Sequence, residues 1–284
     1  MSLRTTLALL LLVALTAPSV ADDIDHAAFE RTRSKADSVI DSKSLERASR
    51  EKPVPTFSHR APVRAADYDS YWLWAGVKAR PELERAKTLY LLQGEIGPDR
   101  FGAVRLKAQG GTEPGPHAPN LWLVYRVRSL DWTPEIFAAL DRRLARWREA
   151  TRVVGVQIDF DASTHGLERY ASFLAELRKA LPEACGLSVT GLMDWASQAA
   201  IEDIDRLSGS VDELIFQTYR GRETVKDIDA YLARLGRVKV PFRLGLAEGA
   251  LWSPPAALAR NPRFLGYVVF LRNDARTRRD GDAH

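Results

Sequence analysis

Eight short apolar runs, separated by amphipathic segments, predict an α/β chain folded as a single (β/α)8 barrel of the TIM type, with an irregular connection after strand 2. Two further observations carry that expectation. The runs are near-continuously hydrophobic, as strands covered on both faces are. The segment that holds them, residues 67–274, has the length at which such a barrel forms one domain. An open doubly wound sheet is the alternative architecture. Its dinucleotide-binding form is disfavoured because no Gly-rich phosphate loop links an early strand to a helix.

The runs are Tyr71–Gly76, Leu89–Gln93, Leu121–Val127, Val153–Phe160, Leu187–Leu192, Leu214–Thr218, Phe242–Ala247 and Gly266–Leu271. Between the third and fourth, Pro134–Ala150 opens as a helix with Thr133 as N-cap and Pro134 at the first position. Leu167–Leu181 carries apolar residues at helical spacing and stops at Pro182. Thr224–Leu235 reads as a helix closed by Gly236, a C-terminal glycine signal. The connection from Gly94 to Asn120 is rich in Gly and Pro and shows no good helix, so an extra hairpin is expected around Val104–Gln109.

The flanks differ from the core. Residues 1–21 have the parts of a cleavable signal peptide: Arg4, an apolar run from Leu7 to Leu15, and small Ser19 and Ala21 before the cut. That run is shorter than the ~20 residues a membrane-spanning helix needs, which argues against stable membrane insertion after signal cleavage. Residues 22–66 read as a polar linker with one weak helix around Ala27–Leu45, and residues 275–284 as a flexible tail. The net charge of +4 is concentrated in the basic stretches of these flanks, without the basic-aromatic interleaving of a nucleic-acid surface. The single cysteine, Cys185, forms no internal disulfide and reads as a small buried filler. His117 and His165 have no partners at metal-ligand spacing, so neither a metal nor another cofactor is expected. Ser163 lacks a nucleophile elbow and reads as an N-cap.

In a β/α barrel the working residues stand at the carboxyl ends of the strands. There the sequence places Gln93 and Glu95, Arg126, Asp159 and Asp161, Asp194, Gln217 and Tyr219, Glu248, and finally Asn273 and Asp274. The sharpest segment is Gly155-Val-Gln-Ile-Asp-Phe-Asp161. Alternation along a strand puts Gln157, Asp159 and Asp161 on one face and Val156, Ile158 and Phe160 on the other. Two carboxylates about 7 Å apart in a partly desolvated mouth perturb each other's protonation, so one can hold the proton of a general acid. Two plainer readings stand beside that one: the pair anchors Arg126, or it joins Asp194 in binding a hard cation. Trp72, Trp74, Trp195 and Trp252 lie near strand ends, where an indole either stacks on a sugar ring or fills the core.

Val154 to Asp161 resembles the fourth-strand motif D-G-x-D-x-D-x-E of the chitinase family of glycoside hydrolases. Gly155 and Asp159 match, Asp161 falls at the acid Glu, and Val154 and Gln157 replace two acids. Gln217-Thr218-Tyr219 resembles that family's M-x-Y, whose Tyr contacts an acetamido group. Over residues 67–272, the phrases Tyr71-Trp-Leu-Trp74, Leu91-Leu-Gln-Gly-Glu95, Gln157-Ile-Asp-Phe-Asp161 and Leu187-Ser-Val-Thr190 resemble a bacterial family, domain-of-unknown-function family 3142. So does the spacing of Leu167, Tyr170, Phe173 and Leu177.

The resemblance implies a glycosidase-like barrel in a bacterial envelope protein and supplies no established reaction, while the signal peptide places the expected protein in the periplasm or outside the cell. The expectation is a barrel that acts on or binds an envelope or extracellular glycan, with Asp161 as general acid and Asp159 orienting it. Gln157, Gln217, Tyr219, Glu95, Arg126, Asp194, Glu248 and Trp74 are the candidate substrate contacts. The alternative is a catalytically silent envelope protein that binds polysaccharide or a protein, which the lost acids at Val154 and Gln157 favour.

Overall fold

Eight parallel strands close on themselves in the computed structural model, which describes residues 60–273 except 75, 79, 111–117, 163–165, 194 and 196–200. They are β1 (Ser70–Leu73), β2 (Thr88–Pro98), β3 (Asn120–Val127), β4 (Val153–Phe160), β5 (Gly186–Leu192), β6 (Glu213–Gln217), β7 (Phe242–Ala247) and β8 (Phe264–Phe270). Each pairs with its sequence neighbours. The ring shuts where β8 pairs with β1 through Val269↔Tyr71 and Phe270↔Trp72. The expected (β/α)8 barrel is the fold.

Between the strands run α1 (Pro81–Glu84), α2 (Pro134–Ala150), α3 (Leu167–Ala180), α4 (Ile201–Asp205) and α5 (Ile228–Leu235). α2 buries Ile136, Leu140, Leu144 and Trp147, one stripe at helical spacing. Thr133 does occupy its N-cap, but the hydroxyl caps no backbone amide. It bonds instead to the Glu135 carboxylate, which it holds below its usual pKa. Two expected boundaries move. Thr224 is not helical: it pairs antiparallel with Tyr219, so α5 starts at Ile228. Gly236 ends α5 at φ −56°, in the right-handed region rather than the left-handed turn that a C-terminal glycine suggests. The hairpin after strand 2 forms as expected, with Val104–Ala108 returning antiparallel along the upper part of β2.

The chain packs on the barrel from Ala61 onward. Ala61–Pro62 pairs with Leu251–Trp252, Val63 is buried, and the Tyr71 hydroxyl donates to the Ala65 carbonyl at 2.9 Å. The predicted signal peptide, the helix around Ala27–Leu45 and the tail lie outside the described residues.

Two apolar clusters divide the molecule. The larger lies between the strands and the helices, and it includes Leu89, Leu121, Val156, Leu187 and Phe242. The smaller fills the barrel with Trp72, Tyr90, Trp122, Val124, Ile215, Val268 and Phe270. Glycines make room for its indoles. A Cβ on Gly155 would stand 2.4 Å from Trp122 Cζ3, and one on Gly245 would stand 2.5 Å from Trp72 Cζ3. Near the amino ends of the strands, the Tyr90 hydroxyl donates to Glu213 Oε1 at 2.5 Å, and Arg243 Nε donates to Glu213 Oε2 at 3.1 Å. This pairing lets charge sit inside the barrel's lower end.

Candidate functional site

β4 supplies the centre of the site, with its polar residues on the inner face as alternation requires. Gln157 is fully buried: its Oε1 accepts from Trp72 Nε1 at 2.6 Å, and its Nε2 donates to Ser188 Oγ at 2.9 Å. Two residues further, Asp159 is 6% exposed. Its Oδ1 accepts from the Thr190 hydroxyl at 2.8 Å and from Gln217 Nε2 at 3.4 Å. The other amide atom of that glutamine, Oε1, is buried with no hydrogen-bond partner.

Above these groups a pocket opens at the carboxyl end of the barrel. Gln157, Asp159, Thr190 and Gln217 form its polar lining, and Trp72, Trp74, Tyr219, Phe270 and Val124 its apolar walls. Trp74 meets Phe270 edge-on at 5.7 Å, and Tyr219 lies 6.1 Å from the same ring. The enclosed space has room for roughly one water molecule.

Asp161 follows the last residue of β4 and is half-buried. The backbone on either side of it is pinned: Trp195 Nε1 donates to the Ala162 carbonyl at 2.8 Å, and Phe160 packs on Tyr170 at 5.2 Å. The Tyr170 hydroxyl is buried without a hydrogen-bond partner. Burial, then the charges of Asp159 and Asp161, push this phenol well above its usual pKa.

The remaining candidates divide. Arg126 stands in register between Glu95 on one side and Asp159 on the other, a row of three charged residues across β2, β3 and β4. The Glu95 carboxylate pairs with Arg128 at 2.5 Å. Glu248 forms a two-pronged pair with Arg80, at 2.6 and 2.9 Å, and accepts from the Arg272 amide at 3.1 Å. It thereby ties the end of β7 to the segment before α1. Asp161, Arg126, Glu95 and Glu248 are not among the residues that line the pocket. Gln93 turns outward, where its Oε1 accepts from Trp147 Nε1 at 2.7 Å and Arg143 Nε at 3.0 Å. Asp194, Asp274, His117, His165 and Ser163 lie outside the described residues. Among the described residues no three His, Cys, Asp or Glu side chains are grouped to hold a metal ion, and no helix is long and apolar enough to cross a membrane.

Thr190 and Phe270 are pocket residues that the sequence reading gave no role. A sequence signal did exist for Thr190. Ser188 and Thr190 alternate along β5 as Gln157 and Asp159 do along β4, and a polar pair on the face of a buried strand needs partners.

The central part of the barrel carries a family signature. Residues 126–233 match the family model DUF3142, a domain of unknown function. The DUF3142 match begins in β3 and ends in α5, so it includes Asp159, Asp161, Thr190, Gln217 and Tyr219 but not Trp74, Glu95 or Glu248. No curated protein matches the chain. Among solved structures, the chitinase domain of the spore coat protein CotE from Clostridium difficile aligns with 14% identity and a TM-score of 0.40, over 69% of this chain and 68% of that one. The spore cortex-lytic enzyme SleL of Bacillus cereus aligns with 16% identity and a TM-score of 0.40, over 68% of this chain and about half (52%) of its own. A xylanase-α-amylase inhibitor protein, solved with trehalose, aligns with 12% identity and a TM-score of 0.43, over 71% and 91%.

Proposed function

We propose that this protein is exported by a signal peptide at residues 1–21 and works in the periplasm or outside the cell, where the mouth of its barrel binds a glycan and cleaves it. The observation that carries the reading is the pocket: a buried carboxylate, Asp159, beneath a wall of Trp74, Tyr219 and Phe270. Aromatic faces and directed polar groups are what a sugar ring requires, since its C–H face is apolar and its edge is all hydroxyl.

In this reading Asp161, at the rim, is the general acid that protonates the leaving oxygen. Asp159, held by Thr190 and Gln217, orients it and balances the charge that develops at the reacting carbon. The unpartnered Oε1 of Gln217 accepts a substrate N–H or O–H, and Tyr219 holds the same group from the side.

A second reading, a barrel that binds glycan without cutting it, is favoured by two observations. The enclosed space admits roughly one water, and Gln157, at a position where the chitinase motif carries an acid, is locked between Trp72 and Ser188.

Release of new reducing ends from a panel of polysaccharides separates the two. Activity on one polymer that disappears in Asp161→Asn supports hydrolysis with Asp161 as the acid. Binding of a polymer without any release, by the parent as well as the variant, selects the second reading.

A further inference from the structure

The inner face of the barrel does not end at its rim. Residues directly opposed on paired strands share a face. Asp159 stands beside Arg126, Arg126 beside Glu95, Glu95 opposite Lys107, and Gly97 opposite Arg105. The inner face therefore continues up the hairpin formed by the end of β2 and Val104–Ala108. The other face of that hairpin is apolar, with Ile96 opposite Leu106 and Pro98 opposite Val104; Ile96, Val104 and Leu106 pack into the main core.

Arg128 lies on the inner face as well. Its side chain crosses Gly97, where a Cβ would come within 3.0 Å of Arg128 Cβ. The wall beside the mouth thus carries four cations (Arg105, Lys107, Arg126 and Arg128) against the carboxylates of Glu95, Asp99 and Asp159, a surplus of one positive charge. The hairpin's turn is rigid: Asp99 Oδ1 accepts the amides of Phe101 and Ala103 at 2.8 and 3.1 Å, and Arg105 pairs with Oδ2 at 2.8 Å.

We infer that this wall selects an acidic glycan, one bearing carboxylate groups, and holds its charged sugars beside the mouth. The inference rests on the proposed glycan site and names its substrate class. Guanidinium groups match carboxylates in geometry, and on a rigid hairpin little ordering entropy is lost on binding. A peptide strand added to the free edge of Val104–Ala108 is the poorer fit, because exposed Arg105 and Lys107 on that strand are of the kind that blocks edge pairing.

The test measures binding of the mature protein to polygalacturonate and to the same polymer fully methyl-esterified, at low and high salt. The expected result is about tenfold tighter binding of the acid form at low salt, narrowing as salt rises. Lys107→Glu and, separately, Arg105→Gln should remove most of that preference with unchanged melting temperatures. Equal affinity for the two polymers, no binding of polygalacturonate, or a preference intact in both variants overturns the inference. Trp74→Ala tests the underlying mouth reading independently, since it removes aromatic wall and no charge. It should weaken both polymers alike, and if it weakens neither while Lys107→Glu abolishes the preference, the mouth reading fails and the wall stands.

Discussion

The hydroxyl of Thr190 donates to Asp159 Oδ1 across the β4–β5 boundary at 2.8 Å, from inside a barrel where Asp159 is 6% exposed. Gln217 reaches the same oxygen from β6. Two strands therefore fix the orientation of one carboxyl group, and each donor belongs to a residue whose own burial would otherwise go uncompensated.

Thr190→Val keeps the shape and removes the donor. It should cost about 1–3 kcal/mol of unfolding free energy, because a buried acceptor loses one of its bonds. Urea denaturation of the variant checks this, and Thr190→Ser should recover most of the loss.

At the opposite end of the barrel, Glu213 serves both Tyr90 and Arg243, and its side chain is 6% exposed. Glu213→Gln leaves the Arg243 guanidinium, 19% exposed, without its counter-charge. The loss should be about 3 kcal/mol or more. Tyr90→Phe, which deletes one neutral donor, should cost less, on the order of 1–2 kcal/mol. Denaturant midpoints for the pair establish the order.

Gly155→Ala would force a methyl group to within 2.4 Å of both Trp122 Cζ3 and the Gly186 carbonyl oxygen. Neither can move cheaply inside a closed sheet, so about 1–3 kcal/mol of stability should be lost, with a changed tryptophan emission spectrum. Gly209→Ala, where a Cβ meets nothing within 4 Å, is the control and should be neutral within about 0.5 kcal/mol.

Burial raises the phenols of Tyr90, Tyr125 and Tyr170, and raises Tyr267 to about 12, from a usual value of 10.0. A tyrosine is charged when it has lost its proton, so a raised value means that the native state keeps a proton the unfolded chain gives up. This stabilisation is complete below pH 10 and is lost as pH climbs above it, by up to about 1.4 kcal/mol per pH unit for each fully buried phenol. Alkaline titration followed by phenolate absorbance should show the exposed tyrosines ionising first. The buried ones should appear in one cooperative step together with loss of circular dichroism.

The barrel was legible because its strands are buried on both faces, and apolar runs such as Val153–Phe160 need no partner to be recognised. What the runs concealed was local geometry. The irregularity in pairing between Leu92 and Gly94 sends Gln93 outward to Trp147 and Arg143, while Glu95 returns to the inner face. No pattern of residue types announces such a bulge. In the site, strand alternation placed Gln157 and Asp159 together, and strand ends brought in Gln217, Tyr219 and Trp74. The roles of Glu95 and Glu248 depended on Arg128 and Arg80, which lie far along the chain, so their ion pairs had no signature in the sequence. Thr224 was drawn into a helix by its neighbours' periodicity, whereas pairing with Tyr219 decided its conformation.

The seam at Val269↔Tyr71 and Phe270↔Trp72 joins the first strand to the last. On a growing chain β1 emerges roughly 200 residues before the strand that completes its pairing. For all of that time its far edge has nothing to bond, and Trp72 lacks the Gly245 surface that receives its ring. Synthesis therefore leaves one sticky border open until the end, and its closure is a contact of very high sequence separation, of the kind that forms slowly. A chain cut anywhere before Phe264 would keep that border permanently, and its fate would be self-association rather than a smaller barrel.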